Sequence, residues 1–114
     1  MAASGIDILV MGVTATAALT ANRAVTGAGA VPAAAANCLG IARVAAAIGE
    51  RCPVTVLGTA IAEAGAAIAA NAALELDASG RVVTKSAGAT IGRMAPGYTA
   101  SAAGDLVEII LIPN

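Results

Sequence analysis

Large apolar residues along this chain gather in short clusters of β-branched side chains instead of following a helical stripe. Each cluster is bounded within a few residues by Gly, Pro or Asp. Short apolar clusters between turn-forming residues are typical of β-strands. The pattern therefore predicts strands at four places: residues 6–10, 54–57, 82–84 and 106–112.

Runs of alanine invite a helical interpretation, because alanine is the best helix former. The runs at 33–36, 45–47 and 66–73 are, however, interrupted within a few residues by Gly, Pro or Asn. None carries an apolar stripe long enough to offset the cost of helix nucleation. We therefore predict an all-β fold, with room for one short helix at residues 42–48 or 61–70.

The pattern of small, apolar and turn-forming residues also occurs twice along the chain. The matched segments lie between 49 and 55 residues apart, a slow drift that short loop insertions would produce. A repeat of this size indicates one supersecondary unit used twice. The matched pairs are 19–22 with 68–71, 29–31 with 80–82, 39–42 with 91–94, 49–50 with 104–105, and 54–57 with 107–110.

Two units of about fifty residues are too small to bury separate cores, so we expect them to share one. A chain of 114 residues is then a single domain, residues 1–114. We predict four segments within it: an N-terminal arm or strand at 1–18, a first pseudo-repeat at 19–57, a connector at 58–67 and a second pseudo-repeat at 68–114.

The clearest hairpin spans residues 74–84, where Asp77 opens the turn and Gly80 supplies the positive φ that ends it. Its counterpart in the first pseudo-repeat is the glycine-rich segment 25–31. Small residues on closely spaced strands suit a compact β-barrel or two-sheet sandwich, because backbones approach tightly there. We predict that architecture for the two pseudo-repeats together.

Composition argues against nucleic acid and membrane partners. The formal net charge is −1 and 11% of residues are charged, against roughly 25% in an ordinary domain. Little is therefore available to attract nucleic acid or anionic lipid. The mean hydropathy of +0.88 comes from alanine, and the longest uncharged stretch, 24–42, contains glycine and proline, unlike a spanning helix. No basic segment that would mark a secretory signal is present at the start.

Residues that perform chemistry are nearly absent. The chain has no histidine, the commonest general base and metal ligand. Its acidic residues are scattered, and Glu50 and Asp105, at matching loop ends, are most simply turn residues. The segment Gly27–Gly29 lacks the third glycine of a dinucleotide-binding motif. We therefore predict no enzymatic activity, no cofactor, no metal and no small-molecule substrate.

The two cysteines do not suggest a metal site, since Cys38 and Cys52 have neither CxxC spacing nor a histidine to join them. They are predicted to be small buried apolar side chains. A disulfide between them stays open.

Four features suggest contacts with a partner. Arg43 and Arg93 follow the matching glycines of the two pseudo-repeats, and act either as a basic pair for an acidic surface or as solvated charges that discourage edge pairing. Tyr98, the only aromatic residue, either anchors a contact or closes one end of the barrel. The apolar segment 6–10, outside the matched segments, is suited to adding a strand to a partner's sheet through Ile6, Ile8 and Val10.

Several segments together resemble a known family, the small capsid cement or head-decoration proteins of tailed bacteriophages, also known as the domain of unknown function 2190 family. The resemblance begins at about Leu19 and covers most of the chain from there. It rests on a pattern of small residues and short strands in residues 54–60, 64–68, 77–83, 91–94 and 102–109.

The resemblance implies a β-rich structural protein of the virion, made in the bacterial host cytoplasm, that binds the outer surface of the phage head and stabilises it. It implies two partners, the major capsid protein and further copies of this chain, with a homotrimer favoured over a dimer. Members of the family are not known for catalysis, so no catalytic residues are transferred. The candidate capsid or inter-subunit contacts are Ile6, Ile8, Val10, Arg43, Arg93 and Tyr98.

The residues themselves leave one alternative, a small β-module that binds a ligand or carbohydrate in a cleft between the two pseudo-repeats. Its weakness is the shortage of aromatic and hydrogen-bonding side chains at recurring positions.

Overall fold

In the computed structural model, which describes residues 5–112, the chain forms eight β-strands and no helix. The predicted all-β fold is confirmed. Each of the four predicted apolar strands overlaps an observed one. The strands are β1 (Asp7–Thr14), β2 (Ala24–Val25), β3 (Gly40–Ala42), β4 (Arg51–Glu63), β5 (Ala73–Leu76), β6 (Val82–Thr84), β7 (Gly92–Met94) and β8 (Leu106–Leu111).

Neither alanine-rich segment forms the short helix for which the sequence left room. Residues 61–63 continue β4, and residues 43–50 form bends and turns around an isolated bridge from Ala46 to Leu19. The backbone of Ala46 exchanges hydrogen bonds with that of Leu19, at 2.8 and 3.1 Å, so tertiary pairing overrides the local preference of alanine. Among the residues described, no helix is long and apolar enough to cross a membrane.

The strands form one strongly curled antiparallel sheet, a half-barrel, in the order β2-β3-β4-β8-β7-β5-β6. The long strand β4 lies at its centre and serves both sides of the molecule. Its first part, up to Gly58, pairs with β1 on one edge and β3 on the other, and its last five residues, 59–63, pair with β8. Strand β1 pairs only with β4 and stands off the main path of the sheet.

The internal repeat is visible in the backbone pairing. The pairs from Val10–Thr55 to Thr14–Arg51 have the same register as the pairs from Thr59–Ile110 to Glu63–Leu106, so residues 107–110 match residues 52–55 and not 54–57 as predicted. The residue that follows the first strand of each of these two pairs donates its N–H to a backbone carbonyl just before the partner strand. Ala15 donates to Glu50 and Ala64 donates to Asp105, both at 2.8 Å. The bridge between residues 19 and 46 is likewise matched by one between residues 68 and 100. We term residues 10–57 the first half and residues 59–112 the second half.

By this pairing, residues 10–14 of β1 and residues 59–63 of β4 are structural counterparts. The segments predicted as an N-terminal arm and as a connector therefore each contain the opening strand of one half. The sequence did not indicate that these two strands are counterparts, because their residues differ. They read Val-Met-Gly-Val-Thr in the first half and Thr-Ala-Ile-Ala-Glu in the second.

Buried apolar side chains form two clusters. The smaller cluster lies within the first half and includes Val54 and Cys52. The larger cluster belongs to the second half, except that Ala24 and Ile41 enter it from the first. The two halves are thus joined by β2 and β3 of the first half packing onto the second.

The predicted hairpin is formed by β5 and β6. A carboxylate oxygen of Asp77 accepts N–H hydrogen bonds from Ser79 and Arg81, each at 2.9 Å, and Gly80 has φ +78°. In the first half, residues 26–30 form the corresponding turn, since Thr26 donates its N–H to Ala30 at 2.8 Å. No strand follows that turn among residues 31–38, so β2 pairs only with β3 in the described part of the chain, whereas β5 pairs with both β6 and β7.

Candidate functional site

The most distinctive surface is formed by β1 and the residue before it. Large apolar side chains stand exposed at five positions between residues 6 and 11, with exposed fractions from 38% at Val10 to 74% at Ile8. Successive residues of a strand point to opposite faces. Because residues 8, 9, 10 and 11 are all exposed, both faces of the strand carry apolar groups. We term these five residues the β1 patch: Ile6, Ile8, Leu9, Val10 and Met11.

Strand β1 is held in place by pairing with β4 from Asp7–Gly58 to Thr14–Arg51, with register shifts between residues 7 and 10. Gly58 has φ +98°, and a side chain there would overlap the carbonyl oxygen of Ile6. Val13, buried in the smaller cluster, anchors the other end of the strand. The outer edge of β1 pairs with no other strand among residues 5–112, and unpaired edges are sites where a further chain can pair.

Asp7 ties β1 to the neighbouring strands. One of its carboxylate oxygens accepts a hydrogen bond from the buried Thr55 hydroxyl at 3.0 Å, and the other lies 3.2 Å from the guanidinium of Arg43. Arg43 was predicted as a contact residue; its charge is paired within the chain, and half of its side chain is exposed. Exposed ion pairs of this kind contribute less than about 1 kcal/mol, so this pair positions β1 more than it stabilises the fold.

A cleft of about 220 Å³ lies beside this ion pair, with Asn22 and Ile61 also in its lining. Pockets for drug-sized ligands usually have volumes of about 300–1,000 Å³. Tyr98, the one ring on which a sugar could stack, does not line the cleft. The geometry therefore does not favour the alternative of a ligand- or carbohydrate-binding module.

Arg93 lies in the middle of β7 with its side chain exposed, paired with Ala73 on one side and Ile110 on the other. It is not the counterpart of Arg43. Matching N–H hydrogen bonds at 3.0 Å, from Arg43 to Pro53 and from Ala95 to Glu108, make Ala95 that counterpart. The two arginines therefore occupy different positions in the repeated unit: Arg43 directly follows β3, Arg93 lies within β7, and β4 and β8 separate these two strands.

Tyr98 is half-buried against the larger cluster. Loss of solvent contact and the nearby Glu108 carboxylate raise the pKa of its hydroxyl. Glu108 also accepts a hydrogen bond from the hydroxyl of Thr59 at 2.7 Å. The ring thus packs on the second half, with its hydroxyl near Glu108 of β8.

Both cysteines are free. Cys52 is buried in the smaller cluster and Cys38 packs against the larger one. Burial raises the pKa of the Cys38 thiol to about 11, which keeps it protonated and unreactive at neutral pH. They serve as the small apolar side chains that the sequence predicted.

The carboxylates at matching loop ends organise turns. Glu50 accepts the N–H of Ala47 at 2.7 Å, and Asp105 accepts the corresponding N–H of Ala102 at 3.3 Å. Within the described part of the chain, no three His, Cys, Asp or Glu residues are grouped closely enough to hold a metal ion.

The carboxylates of two turns should make the folded protein less stable in acid. Backbone N–H donors lower the pKa of Glu75, through Ser86 and Gly88, and of Asp105, through Ser101 and Ala102. A carboxyl group whose pKa is lower in the folded state stabilises the fold above its unfolded pKa of about 4, and this contribution is lost as pH falls through the folded value.

We therefore expect the urea midpoint to be steady from pH 7 to 5 and to fall below about pH 4. Urea unfolding followed by circular dichroism at several pH values checks this. The double variant Glu75→Gln/Asp105→Asn should be less stable at pH 7 and show a smaller loss in acid. An equal acid loss in the variant and the parent protein would contradict the assignment.

Two residues of the β1 patch, Leu9 and Met11, were not among the predicted contacts. The predicted contacts were the alternate residues Ile6, Ile8 and Val10, whereas the strand leaves residues 8–11 all exposed. The apolar character of four consecutive residues, 8–11, was the signal that was available.

Comparison with known proteins agrees with the fold described above. The family model described as phage cement protein matches residues 3–112. Among solved structures, the N base of the head fiber gp8.5 of bacteriophage phi29 superimposes with a TM-score of 0.73 and 16% sequence identity, over 91% of this chain and 93% of that chain. A search of curated protein sequences gave no significant match.

Proposed function

Because this chain belongs to the phage cement protein family, and so is a structural protein of the phage virion, we propose that it binds the outer surface of the head and stabilises the assembled capsid. Its partners on this proposal are the major capsid protein and other copies of this chain, in a homotrimer in preference to a dimer. It would be made in the host cytoplasm and join the head there.

The observation that carries the proposal is the β1 patch. A large apolar patch on a monomer marks a site of interaction, and this patch includes three of the predicted contacts, Ile6, Ile8 and Val10. The groups that could perform chemistry are used inside the fold, as turn caps, as ion pairs or as buried thiols. A surface for contact without a reactive site is what a cement protein requires.

Such a protein acts by mass action. A ligand that binds only the assembled state stabilises that state by about 2.7 kcal/mol per site when its free concentration is 100 times its Kd. Repeated over the many equivalent sites of a capsid, a modest contact strengthens the whole shell. Arg43, Arg93 and Tyr98 are the remaining candidates for the capsid or inter-subunit contacts.

Strand β1 is already paired with β4, so addition to a partner's sheet would have to use its outer edge. Removing residues 1–12 would strip β4 of most of this neighbour. Truncation would therefore confuse loss of binding with loss of folding. Substitutions at exposed positions of the patch separate the two effects better.

Co-sedimentation tests the proposal. Heads are purified from the phage that encodes this chain after its gene has been deleted, and the purified protein is added at increasing concentration. We expect saturable binding at a fixed number of copies per head, and none to heads of an unrelated phage. Failure to bind at tens of micromolar protein would overturn the proposal, and a ligand found by thermal-shift screening would then favour the binding-module alternative.

A further inference from the structure

The opening strand of the second half is covered by the first half of the same chain. The backbone carbonyl of Asn22 accepts a hydrogen bond from the N–H of Glu63 at 2.8 Å. This hydrogen bond occupies the edge of residues 59–63 that is turned away from β8. Ala60, on the same strand, is only 4% exposed and belongs to the cluster that also contains Ala24 and Ile41 of the first half.

The opening strand of the first half has no such cover. Residue 11 is the counterpart of residue 60 in the register described above, and Met11 is 46% exposed where Ala60 is buried. No strand among residues 5–112 pairs with the outer edge of β1. One end of the repeated arrangement is therefore open.

The opposite end is open as well. The pair Ala24–Ile41 between β2 and β3 corresponds to the pair Ala73–Arg93 between β5 and β7. Asn22 corresponds to Asn71, and both adopt left-handed backbone conformations, with φ of 67° and 63°. In the first half, Asn22, Ala24 and Ile41 cover the opening strand of the second half. Their counterparts in the second half, Asn71, Ala73 and Arg93, are all exposed.

We propose that copies of this chain associate head to tail, with β1 of one copy docked on the Asn71–Ala73–Arg93 surface of the next. The contact would repeat between chains the packing that joins the two halves within one chain. This inference rests on the self-association that is part of the proposed function, and it names the surfaces that would form it.

The chemistry of the two surfaces is compatible with this contact. Ala73 is small, which lets a strand approach β5 closely. Arg93 replaces Ile41, and the aliphatic part of an arginine side chain can cover apolar groups such as Met11 while its guanidinium stays in water. A formal net charge of −1 opposes association very little.

A head-to-tail contact uses two different surfaces and either closes into a ring or extends into a filament. In a ring of three copies, six related halves would follow one another. Arg93 would then be an inter-subunit contact, and Met11 would face the neighbouring copy.

The test measures molar mass by light scattering during size-exclusion chromatography of the full-length protein without heads. The parent protein should be a closed oligomer. Met11→Asp places a carboxylate in the contact and should weaken association by about 100-fold or more, because an unpaired buried charge is strongly unfavourable. Ile48→Asp is the control, since Ile48 is also an exposed apolar residue but lies in the loop beyond the far end of β1. It should stay oligomeric.

Ala73→Asp alters the other surface and should also give a monomer. Arg93→Asp serves in its place if circular dichroism shows that Ala73→Asp fails to fold. When Met11→Asp and Ala73→Asp proteins are mixed, the intact β1 of one can dock on the intact second half of the other. We expect a heterodimer of twice the monomer mass, since only one intact contact is possible per pair.

A monomeric parent protein at tens of micromolar, an oligomeric Met11→Asp protein, or a mixture that stays monomeric would each overturn the head-to-tail proposal. A contact between two β1 strands would leave Ala73→Asp oligomeric and would also overturn it. Head binding is a separate readout. An oligomer that does not bind heads contradicts the proposed function alone. A monomeric parent protein that binds heads contradicts the head-to-tail contact alone.

Discussion

Replacing Gly40 with alanine should destabilise the protein by at least about 3 kcal/mol, the upper end of the range for overpacked sites. Gly40 lies in β3 between β2 and β4, where the backbones approach closely. An added Cβ would overlap the carbonyl oxygen of Thr55 and lie 2.9 Å from the carbonyl carbon and 3.0 Å from a methyl group of Val54. The strands would have to separate, which weakens their hydrogen bonds.

The internal repeat supplies a second test of the same effect. Gly92 is the counterpart of Gly40, and a Cβ there would overlap the carbonyl oxygen of Ile110. Gly92→Ala should therefore cost a similar amount. The matched control is Gly27→Ala, because nothing lies within 4 Å of a Cβ at that position. It should change stability by less than about 1 kcal/mol.

Urea unfolding at pH 7, followed by circular dichroism, gives the three free energies of unfolding. Soluble yield is the substitute readout for a variant that does not fold. A Gly40→Ala protein with the parent's urea midpoint would contradict the close strand approach at β3.

Leu74→Ala should cost about 2–5 kcal/mol, the range measured for large-to-small changes in cores. Leu74 is fully buried at the centre of β5, paired with Thr84 on one side and Gly92 on the other. Many of the buried side chains in the described part of the chain are alanines, each of which buries little apolar surface. A domain has only about 5–15 kcal/mol of net stability, so the loss of one large side chain removes a substantial part of it.

Leu106→Ala is the control, because the same atoms are deleted from a side chain that is 52% exposed at the start of β8. It should cost less than about 1 kcal/mol, since little buried surface is lost. Thermal and urea unfolding of the two variants side by side measure the difference. Equal losses would contradict the placement of Leu74 in the larger cluster.

Much of the fold was predictable because local signals agreed with the tertiary structure. The Asp77–Gly80 turn carries its own chemistry, a carboxylate that caps N–H groups and a glycine at positive φ, and the hairpin formed where predicted. The duplicated positions Gly40 and Gly92 marked strands in close contact. Such features depend on nearby backbone and are therefore readable from sequence.

The limits of the repeat were not predictable in the same way. Residues 10–14 and 59–63 occupy equivalent places in the sheet but have different side chains, because one strand is exposed and the other is covered by the first half. Burial selects the residues, so strands in different surroundings lose their sequence likeness while keeping their hydrogen bonds.

The candidate site was predicted only in part. The sequence singled out the apolar segment 6–10, and the structure leaves it exposed. The sequence could not indicate that β1 pairs with β4 inside the chain or that Arg43 is paired with Asp7. Both features depend on contacts between residues more than 30 positions apart. The exposed Asn71–Ala73–Arg93 surface became evident only once the register of the two halves was known.

Calorimetry of whole heads shows whether this protein strengthens a phage head. Heads from phage lacking the gene are scanned alone and after saturation with purified protein. We expect the capsid transition to move to higher temperature in proportion to occupancy and to stop rising when the sites are full. Saturated binding with an unchanged capsid transition would contradict it.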